Sequence, residues 1–150
     1  MNEEEKKKLR VVYCRPGERS EMIEIDHKLH EMQRLVGGLI QEYFPFHSEN
    51  DERLDDVALI VNDEGKINGM KANRAVYDDR GEVLDVIAGP FFVVYAPIES
   101  ETFMSLPEDL QKEFWKRFEL PEMFFRTPEG VKAVSYEPER SKDSERNERR

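Results

Sequence analysis

The sequence predicts an α+β domain: a mixed, mostly antiparallel sheet with two main helices packed on one face of it. Three observations carry that prediction. Short apolar runs bounded by charge or by Gly and Pro, with Val57–Val61 (VALIV) the clearest, have the length of strands. Two stretches, one early and one late, space their apolar residues at helical intervals. Strands separated by only these two helices fit an α+β layer arrangement. A length of 150 residues with 38% hydrophobic content suffices for one core, while 37% charge predicts a densely charged surface. The expected organisation is a flexible N-terminus at 1–8, one domain at 9–136, and a disordered charged tail at 137–150 that holds no apolar side chain.

Leu9–Cys14 (LRVVYC) is β-branched and apolar, and ends at the turn signal Pro16-Gly17. Glu21–Ile25 (EMIEI) alternates, placing Ile23 and Ile25 on one face. The pair predicts an opening hairpin with a loop too long for a tight turn. Asp26 is a candidate helix cap, and Leu29, Met32, Leu35, Val36 and Leu39 follow at helical spacing. Gly37-Gly38 should stop that helix. Leu39–Phe46 reads as extended, with Leu39, Gln41 and Tyr43 on one face and Ile40, Glu42, Phe44 and Phe46 on the other. Pro45 puts its end at a sheet edge.

His47–Asp56 carries five acids and reads as a solvated loop before the buried strand Val57–Val61. Asn62–Lys66 supplies a hairpin turn with Gly65 available for positive φ. A second turn falls at Asp79-Arg80-Gly81. Asp85–Pro97 is a long strand that Gly89-Pro90 must bulge or kink. In Ser105–Phe118, Ser105 and Glu108 have capping-box spacing, Pro107 fits the first turn, and Leu110, Phe114, Trp115 and Phe118 form a stripe that packs on the sheet. Pro121 ends the segment, and Gly130–Tyr136 adds one more strand.

Charge narrows the function classes. The net charge is −10; the first ten residues hold +1 and the last fourteen hold zero, so 11–136 carry −11. Such a core repels phosphate backbones, so no direct nucleic-acid binding is expected, whereas a basic protein partner suits it. Cys14 is alone, which excludes an intrachain disulfide and a thiolate zinc cluster, and it reads as a buried or half-buried strand residue. The start MNEEEKKKLR lacks the apolar region of a secretory signal, and no apolar run is long enough for a membrane helix, so a soluble, intracellular protein is expected.

No motif supplies a reaction. His27, His30 and Glu31 lack the two-His i, i+4 spacing of a zinc helix. Leu35–Ile40 (LVGGLI) ends a helix where a phosphate cradle would begin one. The acidic stretches at 49–56 and 78–85 do not match a calcium loop. No catalytic residue, metal site or cofactor is expected. Two candidate surfaces remain. Asn68, Lys71, Asn73 and Arg74 group amides and cations, which suits recognition of a carboxylate, phosphate or peptide backbone. The same residues equally suit bracing of irregular backbone, with the cations paired to Asp78 and Asp79. Glu49, Asp51, Glu52, Asp55 and Asp56 form the candidate acidic partner face.

The stretches LHEMQRLVGGLIQ, VNDEGKINGMKANRAVY, DVIAGPFFVV, FMSLPED and PEMFF together resemble a domain-of-unknown-function family, number 3846 in that series, over roughly residues 9–136. That family is carried by phages and conjugative elements of Gram-positive bacteria. The resemblance implies a mobile-element accessory protein in a bacterial host cytoplasm, with no activity or catalytic residues to carry over. Two functions follow as expectations. One is a non-enzymatic binding protein that docks on a host or element protein through an acidic surface; inhibition of a host defence or DNA-processing protein is one consequence of such docking. The other is a small-ligand binder or enzyme for a nucleotide-like or other anion, built on the Asn/Lys/Arg group.

Overall fold

The structure is a computed structural model, and it describes residues 8–139. The expected terminal segments fall largely outside those residues. β1 already begins at Lys8 and runs to Cys14, and the Lys8 ammonium pairs with the Asp26 carboxylate. β2 (Glu21–Asp26) completes the opening hairpin, with Val12 opposite Met22 and Leu9 opposite Ile25.

Five antiparallel strands make the main sheet in the order β2-β1-β7-β4-β3, with β3 at Ile40–Tyr43, β4 at Val57–Asn62 and β7 at Phe91–Tyr95. β4 is buried at every residue, so its unbroken apolar run reflects cover on both faces of the sheet. The two helices lie on opposite faces. This corrects the expectation of one covered face. α1 (Leu29–Val36) packs Met32, Leu35 and Val36 against Leu9, Val11, Ile60 and Phe92. α2 (Glu108–Arg117) packs Leu110 and Phe114 against the alternate side, with Val12, Leu59 and Val93. A sheet whose strands are apolar at consecutive positions leaves two faces to bury, and each helix takes one.

Helix entry also differs from the sequence reading. Asp26 belongs to β2 and to the Lys8 pair, and α1 starts from Lys28 with no side-chain cap. It stops as predicted at Gly37, in left-handed conformation at φ 80, with the Gly37 N–H donating to Gln33 O at 2.9 Å. Leu39 lies beyond the helix and is exposed. At α2, Pro107 takes the cap position, and the Ser105 hydroxyl accepts from the Arg10 N–H at 2.8 Å, tying the pre-helix chain to β1. Trp115 turns off the core stripe, which is completed by Phe118. Phe46 joins Tyr43 against the α2 face, because the strand ends at Tyr43 and alternation no longer holds beyond it.

β4 and β7 are neighbours in the sheet, and the chain between them folds back as a separate hairpin, β5 (Ala72–Tyr77) with β6 (Val83–Ala88). Val76 and Ile87 of that hairpin cap the α2-side core. The Asp85–Pro97 run is therefore two strands in two sheets, and Gly89-Pro90 marks the change of sheet, a larger break than a bulge. The turn at 78–82 is as expected: Asp78 Oδ1 accepts from the Arg80 and Glu82 N–H groups at 2.9 and 3.0 Å. β8 (Glu122–Thr127) and β9 (Gly130–Ser135) form a third antiparallel pair.

Candidate functional site

The turn after β4 does not lead to a strand paired with β4. Its backbone coils through residues 63–69, with Asn68 N–H donating to Glu64 O at 2.8 Å and Met70 N–H to Gly65 O at 2.9 Å. Asn62 anchors this coil. Its amide donates to Val36 O at 3.1 Å, at the end of α1, and its carbonyl accepts from Glu64 N–H at 2.8 Å. Gly65 is needed here for close approach, not for positive φ: a Cβ on it would sit 2.6 Å from Ala88 O.

The four polar residues singled out in the sequence separate into two environments. Asn68 and Lys71 are exposed. Asn73 and Arg74 are interior, Arg74 at 1% exposure. Asn73 Nδ2 donates to Cys14 O at 3.0 Å and to Gly89 O at 2.9 Å, joining β1 to the point where the chain changes sheet. Arg74 Nη1 donates to Asn73 Oδ1 at 2.8 Å. Its Nε and Nη2 both reach Phe118 O, at 3.1 and 3.0 Å, and Nη2 also reaches Glu18 O at 2.5 Å. Burial pushes the Arg74 pKa down, yet its donors are directed at carbonyls. The four side chains therefore do not converge on one pocket, and Asn73 and Arg74 act as an internal brace. Among the described residues no ion pair joins Lys71 or Arg74 to Asp78 or Asp79, and the nearby Lys66 pairs with Asp85 at 2.6 Å.

The acidic stretch folds more than a solvated loop would. Glu52–Asp56 is a 3-10 helix with Leu54 buried, and Asp51 caps it by accepting from the Arg53 N–H at 3.1 Å. Arg53 bridges Asp51, at 2.7 Å, to Asp109 in the first turn of α2, at 2.8 Å. Hydrogen bonding from Arg53 holds both carboxyls below their ordinary range. His47 Nδ1 lies 2.7 Å from Asp55, and that hydrogen bond with the Asp55 charge raises the imidazole pKa. Glu49 and Glu52 are exposed, Asp56 is half-buried, and none of the three makes an ion pair among the described residues.

A cleft of about 520 Å3 opens between this stretch, the β5–β6 hairpin and the end of α2. Its floor is apolar, built from Phe46, Leu54, Val76 and Phe118, and Leu84 stands at its edge with 56% exposure. Asp78, Asp79, His47 and Glu122 supply its polar lining. Glu122 is engaged by the Ala75 N–H at 2.8 Å and by the Tyr77 hydroxyl. Burial, then the Glu122 hydrogen bond, raises the Tyr77 pKa. Arg117, the cation of the cleft lining, lies over the Phe46 and Phe114 rings at 5.0 and 4.7 Å and pairs with Glu113 at 3.3 Å. Sequence reasoning missed this cleft, because its walls come from three segments far apart in the chain, 45–54, 75–84 and 117–122.

His27 Nε2 lies 3.1 Å from Phe103 O, and among the described residues no group of three or more His, Cys, Asp or Glu is placed to hold a metal ion. No described helix is long and apolar enough to cross a membrane. A family model described as Domain of unknown function (DUF3846) matches residues 9–119, from β1 to just past α2. The match ends before Pro121–Phe125, one of the stretches carrying the resemblance, and leaves the β8–β9 pair outside it. No curated protein and no solved structure matches the chain.

Proposed function

Because the chain belongs to the DUF3846 family, whose description assigns no activity, we propose a function from its surface: a non-enzymatic interaction protein of a phage or mobile element. It docks on a host or element protein through an acidic face, in the cytoplasm of the bacterial host. The observation that carries this reading is the placement of Glu49 and Glu52, exposed and without ion pairs among the described residues, on a stretch that Asp51, Arg53 and Asp109 hold in one shape. Carboxylates held on a rigid support attract a cationic partner and steer its approach. Such a face imitates the charge of DNA, so a defence or DNA-processing protein with a basic site is the class of target. The mobile-element assignment rests on the family resemblance.

The test is capture of partners from bacterial lysate on the immobilised full chain, across a range of ionic strength. Binding should fall steeply as salt rises, and Glu49→Gln with Glu52→Gln should reproduce the loss at low salt. Capture that is indifferent both to salt and to these changes sinks the reading. The alternative, an anion pocket of Asn68, Lys71, Asn73 and Arg74, has two of its four members committed to internal carbonyls.

A further inference from the structure

The cleft beside the β5–β6 hairpin combines apolar and acidic lining, unlike the acidic face around it. Its volume of about 520 Å3 lies in the range that holds a ligand or a few side chains of a peptide. Its apolar lining runs in depth from the buried Phe118 to the exposed Leu84. Its charges are asymmetric. Arg117 is already stacked on two rings and paired with Glu113. Glu122 has both oxygens engaged. Asp79 makes no ion pair among the described residues, and Asp78 uses one oxygen for the turn N–H groups, leaving the other for an incoming donor. His47 is already engaged by Asp55 at 2.7 Å, so the uncompensated charge of the lining is negative, and it accompanies apolar side chains.

We propose that this cleft receives one extended segment of a basic protein partner, placing an Arg or Lys side chain against Asp78 and Asp79 and a neighbouring large apolar side chain against Phe46, Leu84 and Phe118. The proposal rests on the docking reading above and specifies its partner. A cation alone would leave the apolar floor wet, and an apolar chain alone would leave the two carboxylates beside a dehydrated surface; a segment carrying both satisfies each.

The experiment is selection of a random-peptide display library on the immobilised full chain, counter-screened on an Asp79→Asn, Leu84→Ala double variant. Both residues are exposed, so the variant should melt with the parent chain. An Asp79→Asn single variant serves if it does not. Selected peptides should carry Arg or Lys beside a large apolar residue and bind the variant about tenfold or more weakly. Labelled with 15N, the chain should show amide shifts at Phe46, Leu84 and Phe118 on peptide addition. Failure to enrich any sequence, enrichment of acidic or purely cationic sequences, or equal binding to the variant overturns the proposal. The two readings fail separately. A lysate partner lost with Glu49→Gln, Glu52→Gln but retained by the cleft variant removes the cleft assignment alone. A chain whose captures depend on neither set removes the docking reading itself.

Discussion

Arg74 is held by oxygens from three parts of the chain: Phe118 O at the end of α2, Glu18 O in the β1–β2 loop, and the side chain of Asn73 beside it in β5. Replacing it by Ala strands the Phe118 carbonyl and the Asn73 side chain in the interior, where each unsatisfied group costs about 1–3 kcal/mol. Arg74→Ala should therefore lower unfolding free energy by about 3 kcal/mol or more in urea melts, while Lys71→Ala, at an exposed position, should stay within about 0.5 kcal/mol. Equal small effects at both positions would remove the brace. Cys14 gives a second probe. Burial pushes its thiol up to about 12, so little thiolate exists at neutral pH. It should react with a disulfide reagent such as DTNB only as the protein unfolds, at a rate that follows denaturant. Labelling in the native state at the rate of a free thiol would contradict the buried position.

At the scale of elements, the chain between β4 and β7 decides how the second sheet is placed. Gly65 lets the coil at 63–69 pass against Ala88 O at the end of β6, and an added Cβ would meet that backbone oxygen at 2.6 Å. Backbone cannot give way as a flexible side chain can. Gly65→Ala should thus cost about 1–3 kcal/mol, the range of an overpacked site, and should lower the melting temperature by several degrees. Gly81→Ala tests a different device, since Gly81 has open space but a φ of 79; its cost should be only about 1 kcal/mol, the strain of a left-handed non-Gly residue. Reversal of that order would show that the coil yields. α2 is fixed by its buried stripe, with Phe114 packed 4.9 Å from Phe46 between ring centres. Phe114→Ala should cost about 3–5 kcal/mol, whereas Trp115→Ala, off the stripe, should cost markedly less.

Across the whole molecule the electrostatics set a pH window. The Asp51 and Asp109 carboxyls are held low by Arg53, so the stability they contribute is present above the ordinary carboxylate pKa of about 3.9 and lost as pH falls through their lowered values. The His47 imidazole is raised, so its contribution is complete below about 6.5 and is lost as pH rises through its raised value. Thermal melts should therefore fall toward acid below about pH 4 and should decline slightly toward alkali as pH rises past about 6.5. His47→Gln should flatten only the alkaline decline, and Arg53→Gln only the acid one. A net charge of −10 also predicts that added salt relieves self-repulsion and raises the melting temperature. An unchanged melt from low to physiological salt would mean that local ion pairs offset the repulsion.

Sequence alone determined what depends on neighbours a few residues apart: the opening hairpin, the buried strand at Val57–Val61, the turn at Asp79–Gly81, the stop of α1 at Gly37, the α+β class, and the family to which the motifs belong. These follow from local sterics, hydrogen bonds within turns, and periodicities read in one window. Alternation even placed Tyr43 and Gln41 on a common face. Tertiary structure decided what depends on competition between distant partners. Ser105 had the spacing of a cap but accepts from Arg10, because β1 brings an N–H to it. Asn73 and Arg74 had the chemistry of a recognition site and became a brace, because carbonyls of Cys14, Glu18, Gly89 and Phe118 come together around them. The cleft at Phe46, Leu84 and Phe118 has no sequence signature, since segments separated by dozens of residues build it. A polar side chain in a sequence carries its donors and acceptors with it; whether these meet a ligand or the protein's own backbone is settled only by which chain ends, turns and strands the packing of both sheet faces brings beside it.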